Sequence, residues 1–128
     1  MKKLTPVLYV EEIEPVLPFW ERLGFARSVE IPHGDRLGFV ILQNGPVEVM
    51  YQTRASVEED IPPLADSPMR GSFLFIEVED LDAVQQGLQG VDLVVPRRTT
   101  FYGSEELIVR EPAGNAVTFA KFGEQAEG

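Results

Sequence analysis

The sequence predicts an α+β fold made of two tandem βαβββ units. Three observations predict it. Val7-Leu8-Tyr9-Val10-Glu11-Glu12-Ile13-Glu14 resembles Phe75-Ile76-Glu77-Val78-Glu79-Asp80-Leu81-Asp82, an offset of 68 residues. In both copies a short apolar strand runs into acidic residues and then into a helical pattern. Three strand-like runs follow each helix.

The first helix opens at Glu14, where Pro15 suits the first helical position and Pro18 still falls in the first turn. Val16, Phe19, Trp20 and Leu23 then share one apolar face, which places Trp20 in the core, and Gly24 ends the helix. Strands are expected at Ala26–Ile31, Leu37–Leu42 and Val47–Gln52, with Asn44-Gly45 turning the last pair. In the second unit Asp80 or Asp82 caps a weaker helix that carries Gly87 and stops at Gly90. Strands are expected at Asp92–Val95, Glu105–Arg110 and Ala116–Phe122, the last two joined by Glu111-Pro112-Ala113-Gly114-Asn115. One domain is expected, with a first module at 1–53, a proline-rich linker at 54–70, a second module at 71–123 and a tail at 124–128.

With 128 residues, 44% of them hydrophobic, the chain can bury a core without staples, and it contains no cysteine. Disulfides, thiolate nucleophiles and iron–sulfur clusters are thereby excluded. The single histidine, His33, argues against multi-histidine metal sites and reads as an exposed turn residue of Pro32-His33-Gly34-Asp35. Twenty-one acids against 11 bases give a net charge of −10, spread over both halves. This acidic protein lacks the basic footprint of a nucleic-acid binder. The charge favours a cationic partner and equally serves plain solubility. A proline- and glutamate-rich stretch follows Met1-Lys2-Lys3 where a secretory signal has an apolar run, and no apolar run is long enough to span a membrane. The expected location is the cytoplasm, with no membrane and no nucleic-acid partner.

A four-stranded sheet with one helix leaves its second face open. Two such units side by side would form a curved mixed sheet with helices on the convex side and a concave ligand cavity.

Pro6-Val7-Leu8-Tyr9-Val10 followed by Phe19-Trp20-Glu21-Arg22-Leu23-Gly24-Phe25 resembles the first unit of the vicinal oxygen chelate superfamily. Tyr102-Gly103 and Leu107-Ile108-Val109-Arg110-Glu111-Pro112-Ala113-Gly114-Asn115 resemble its second unit. This is the glyoxalase, bleomycin resistance protein and dioxygenase superfamily, and the bleomycin-resistance type is the nearest subgroup. The resemblance implies a homodimer with ligand grooves between subunits, one known arrangement exchanging the N-terminal strand. It also implies four positions for a divalent metal, which here fall at Thr5, Glu48, Phe73 and Thr118. Only Glu48 is a good ligand, so no metal and no cofactor is expected.

Period-2 alternation extends the concave lining from these positions. Val7 and Tyr9 follow Thr5, Met50 and Gln52 follow Glu48, and Phe75 and Glu77 follow Phe73. Glu106 is a further candidate, and Phe101 and Tyr102 precede it at a mouth. Aromatic faces with the carboxylates Glu48, Glu77 and Glu106 suit a flat or cationic ligand. Phe73 and Phe75 equally suit plain core, and Glu77 a solvated strand end. Without a metal, Glu48 must be hydrogen-bonded to Thr5 or Thr118, protonated, or paired with a ligand. The chain lacks a second tryptophan, so Tyr9, Tyr51, Phe101 and Tyr102 would have to replace the tryptophans of bleomycin-binding grooves.

Three readings follow. The first is a metal-independent binding protein that sequesters a hydrophobic or cationic small molecule, as in antibiotic resistance. The second is a lyase, isomerase or epimerase with Glu48 as base or metal ligand, and no other catalytic residue is assigned. The third is an interaction module whose cavity is filled by its own side chains.

Overall fold

The computed structural model describes residues 1–123, and the expected tail, 124–128, lies outside the described residues. The chain divides into two compact units, Met1–Arg70 and the remainder from Gly71.

In the first unit β1 (Val7–Val10) leads through a 3-10 turn at Glu14–Val16 into α1 (Leu17–Arg22), then β2 (Ala26–His33), β3 (Arg36–Asn44) and β4 (Val47–Thr53). The sheet order is β1-β4-β3-β2, with β1 and β4 parallel and the other pairs antiparallel. The second unit repeats this with β5 (Phe73–Glu77), α3 (Leu81–Gly87), β6 (Asp92–Thr99), β7 (Ser104–Arg110) and β8 (Ala116–Phe122), in the order β5-β8-β7-β6. Between β4 and β5 the stretch expected as a linker is folded. It forms α2 (Arg54–Asp60) and a 3-10 turn at Pro62–Leu64, and it belongs to the first unit. Each unit is thus the expected βαβββ motif, carried on its own four-stranded mixed sheet. Among the described residues no helix is long and apolar enough to cross a membrane.

Both outer strands run further than expected. Sequence reading ends them at Ile31 and Val95, directly before prolines, yet β2 continues through Pro32 and β6 through Pro96. Both are edge strands, where a missing N–H interrupts no second ladder. Register shifts fall beside both prolines and absorb the irregularity. His33 accordingly is not a loop residue. It is the last residue of β2, and the hairpin turn is Gly34-Asp35, with Gly34 at a φ of +66°.

The core of the first unit lies between α1 and one face of its sheet. Leu8, Val10, Val40, Leu42, Val49 and Tyr51 are buried there with Phe19 and Trp20 of the helix. Trp20 is 0% exposed, and Phe19 and Phe25 meet its ring edge-on at 5.0 and 4.8 Å. Its indole Nε1 donates to the Tyr51 hydroxyl at 2.8 Å. Tyr51 therefore serves the core and is not available to a groove, which corrects its place among the candidate aromatics.

In the second unit Leu81, Leu88, Leu107, Val109, Val117 and Phe119 form the equivalent core. Asp80 is the helix cap, accepting from the Ala83 N–H at 3.0 Å. The Glu111–Asn115 turn closes on itself. The buried Glu111 carboxylate accepts from the Asn115 N–H at 2.8 Å, and the Asn115 side-chain oxygen accepts from the Ser72 N–H at 2.7 Å. That second bond fixes the start of β5 against β8.

Tyr51→Phe removes the acceptor of a fully buried indole N–H. We expect a loss of about 1–3 kcal/mol, read as a lower urea midpoint at unchanged m-value. Fluorescence of Trp20, the single tryptophan, follows the transition.

Candidate functional site

On the face of the first sheet that α1 does not cover stand Val7 and Tyr9 of β1, Met50 and Gln52 of β4, and Phe39 and Ile41 of β3. Register places them in two rows, Val7–Met50–Ile41 and Tyr9–Gln52–Phe39. The folded 54–68 stretch comes over this face. Thr53 caps α2 by accepting from the Ser56 N–H at 3.2 Å. The Tyr9 hydroxyl donates to the Ala65 carbonyl at 2.8 Å, and the Arg54 guanidinium lies 5.5 Å from the Tyr9 ring centre while pairing with Glu11. Gly38 admits the helix, since a Cβ there would stand 2.7 Å from His33 Cβ and 3.1 Å from Ser56 Cβ.

Gln52 is buried and donates to Ser56 Oγ at 3.0 Å and Asp60 Oδ2 at 3.3 Å. Two cavities border it. One, of about 310 Å³, is mainly apolar and lined by Val7, Tyr9, Val57, Ile61 and Leu64 among others. The other, of about 510 Å³, is bounded by Ile31, Phe39, His33, Glu59 and Asp60. His33 Nε2 contacts Glu59 Oε2 at 2.7 Å, so this histidine ties β2 to α2.

Glu48 lies on the same face, one row beyond Met50. Its Oε1 accepts from Thr5 Oγ1 at 2.9 Å, one of the alternatives that the sequence leaves open. Lys3 supplies a second partner that sequence reading missed, its Nζ 3.0 Å from Oε1 and 3.1 Å from Oε2. The Lys3 ammonium first and the Thr5 hydroxyl second hold the carboxyl below its ordinary pKa.

In the second unit Phe73 is 92% exposed and Phe75 and Glu77 are also exposed, while Thr118 is half-buried. These two phenylalanines are therefore not core. Phe75, Phe122 and Tyr102 form a chain of rings 6.3 and 6.2 Å apart, and Phe101, fully exposed, meets Tyr102 edge-on. Glu106 is 2% exposed. Its Oε1 accepts from Arg98 Nε at 3.2 Å and from a terminal Arg98 nitrogen at 2.8 Å, and its Oε2 accepts from the Tyr102 hydroxyl at 3.0 Å. It is a structural anion, clamped between a strand and the loop before β7.

The residues present do not fit the divalent metal that the fold family implies. Phe73 offers no donor, Thr5 and Thr118 offer neutral hydroxyls, and an ammonium already sits on Glu48. Among the described residues no three His, Cys, Asp or Glu side chains gather closely enough to hold a metal ion. The register also corrects one equivalence. Val7 pairs with Met50 as Phe75 pairs with Thr118, so Thr118 corresponds to Met50 in the repeat, whereas Glu48 corresponds to Ala116.

The structure thus brings Thr5 together with Glu48, and Val7, Tyr9 and Gln52 together at a cavity wall. It joins Tyr102 to Glu106, and register places Glu77 in one row with Ala120 and Glu106. Sequence reading missed Val57, Ile61 and Leu64, which looked like linker. Their signal was present: three apolar residues at i, i+4 and i+7, behind the cap residue Thr53.

Residues 4–119 match the Glyoxalase/Bleomycin resistance protein/Dioxygenase superfamily. No curated protein matches the sequence. Among solved structures the chain is similar to TioX from Micromonospora sp. ML1, with a TM-score of 0.79 at 18% identity over 94% of this chain and 98% of that one. It is also similar to a lactoylglutathione lyase from Agrobacterium tumefaciens, with a TM-score of 0.75 at 14% identity over 100% and 98%. A glyoxalase/bleomycin resistance protein/dioxygenase from Nocardioides gives 0.69 at 17% identity over 97% and 85%. At such identities these likenesses establish the fold alone.

Two outcomes are expected. Arg98→Ala leaves a buried carboxylate with one hydroxyl partner, at a cost of about 1–3 kcal/mol in urea unfolding, and adding Glu106→Leu recovers most of it. Because the Glu48 pKa is lowered on folding, its contact stabilises the protein at neutral pH. That contribution is lost as the pH falls below the ordinary carboxylate value of 4.5 and through the lowered one. Glu48→Gln should therefore make the acid limb of the stability profile shallower.

Proposed function

This chain belongs to the glyoxalase/bleomycin resistance protein/dioxygenase superfamily, and from that premise we propose that it is a metal-independent small-molecule binding protein. Its reading is of the bleomycin-resistance type: it sequesters a hydrophobic or cationic compound in the cytoplasm, as a homodimer with a groove that includes the open face of the first unit. The observation that carries this is the apolar cavity of about 310 Å³ between Val7, Tyr9 and the 54–68 stretch, beside an acidic one. Its size falls at the lower end of small-ligand pockets, and it has the apolar wall with few polar groups that such sites share. Members of the superfamily commonly bind small molecules and form dimers. The exposed Phe73 and Phe75 support a partner surface on the second unit.

The alternative, a lyase, isomerase or epimerase, would use Glu48 as base or metal ligand. A general base works best with a pKa near the working pH. Lys3 and Thr5 move Glu48 the other way, which supports binding over turnover.

The test is an NMR titration with 4-phenylbutan-1-ol as a neutral probe, with and without EDTA. Saturable shifts at Val57, Ile61 and Leu64 that EDTA does not alter are expected, and Ile61→Trp should weaken them at least about tenfold by filling the cavity. Binding that requires an added divalent metal, or no saturable binding, overturns the proposal.

A further inference from the structure

The polypeptide before β1 is held in an unusual way. Met1, Lys2 and Leu4 are exposed, Leu4 to 90%, so this stretch buries almost no apolar surface. What holds it is polar: Lys3 and Thr5 on the Glu48 carboxylate, and the Met50 N–H donating to the Pro6 carbonyl at 3.0 Å. Within the pair the exposures are lopsided, since the Lys3 side chain is 56% exposed and that of Glu48 only 9%. A sheltered carboxylate is thus covered by a largely solvated ammonium on a stretch with no apolar anchor. Ion pairs that depend on ordering a long solvated side chain are weak.

Other ion pairs of the first unit differ. Glu11, Glu12 and Glu59 keep half or more of their side-chain surface in water even while paired. Glu106 in the second unit shows the same asymmetry as Glu48. Its partner Arg98, however, projects from β6 and grips with two nitrogens, and Tyr102 adds a third bond. Glu48 combines shelter with a detachable partner.

Its place on the sheet matters as much. Glu48 and Met50 point to one face, two residues apart on β4, and Met50 is the register partner of Val7, which lines the apolar cavity. Two strand residues span about 7 Å. An amine on a short spacer reaches the carboxylate from an aryl group in that cavity.

We propose that Glu48 and Thr5 form a cation subsite for the ammonium or guanidinium group of an apolar ligand, and that Lys3 occupies this subsite as an internal competitor. The inference rests on the binding reading above and names its ligand class. An incoming cation exchanges places with Lys3 on the same two oxygens, so no charge is left uncompensated. The chain's net charge of −10 raises the local concentration of such ligands.

The test compares 4-phenylbutylamine, protonated at pH 7, with 4-phenylbutan-1-ol as its neutral match, against wild type, Lys3→Gln and Glu48→Gln. Lys3→Gln should tighten the amine about fivefold, the factor expected if the subsite is closed four-fifths of the time, and leave the alcohol unchanged. Glu48→Gln, which keeps an acceptor for Thr5, should abolish the preference for amine over alcohol. If the alcohol binds but Lys3→Gln does not tighten the amine, the competitor is overturned and the binding reading stands. If neither probe binds any of the three proteins, both fail.

Discussion

One helix can cover only one face of a four-stranded sheet, and the rest of this molecule follows from that constraint. In each unit the helix side takes the large apolar residues of alternate positions. In the first unit those positions are Leu8, Val10, Val40, Leu42, Val49 and Tyr51, closed by Trp20. The intervening positions must then meet something else. Parallel pairing of β1 with β4 sets which residues share a row, and so brings Val7 beside Met50 and Tyr9 beside Gln52. A buried Gln52 is tolerated there because Ser56 and Asp60 of α2 satisfy its amide.

The two units solve the open-face problem differently, although their topology and the register of β1 with β4 and of β5 with β8 are the same. The first recruits the stretch after β4, pinned by Tyr9, Arg54 and the close approach at Gly38, and keeps cavities beneath it. The second carries small residues at Ala116 and Ala120, both buried, and sets the Glu106, Arg98 and Tyr102 cluster beside Ala120. Its aromatic residues Phe73 and Phe75 remain exposed. Equivalent positions in the repeat therefore carry different chemistry: Met50 stands where the second unit has Thr118, and Glu48 where it has Ala116.

Most of the fold was legible in the sequence because its signals are local. Helix faces, caps and turn residues act within a few residues, so the repeat, Trp20 in the core, a cap at Asp80 or Asp82 and the Glu111–Asn115 turn could all be read. Period-2 alternation gave which residues share a face, while the choice of face came from the positions that the family resemblance implies. What was not legible depends on distant partners. Pro32 and Pro96 looked like strand ends, because only the sheet order reveals that both strands are at an edge. Tyr51 belonged to the core once Trp20 was placed across from it. The 54–70 stretch read as a linker because three prolines outweighed its short apolar pattern. Lys3 carried no signal at all, since nothing local joins it to a carboxylate 45 residues away.

The edge prolines have a consequence for assembly. An exposed strand edge is a template for another chain only if its backbone donors form an unbroken row. Pro32 in β2 and Pro96 in β6 each lack an N–H, and register shifts lie beside both. The opposite edges, β1 and β5, contain no proline and are short. Within each sheet the two outer strands thus differ, proline interrupting β2 and β6 but not β1 or β5, so the two edges are unequal as templates for an added strand.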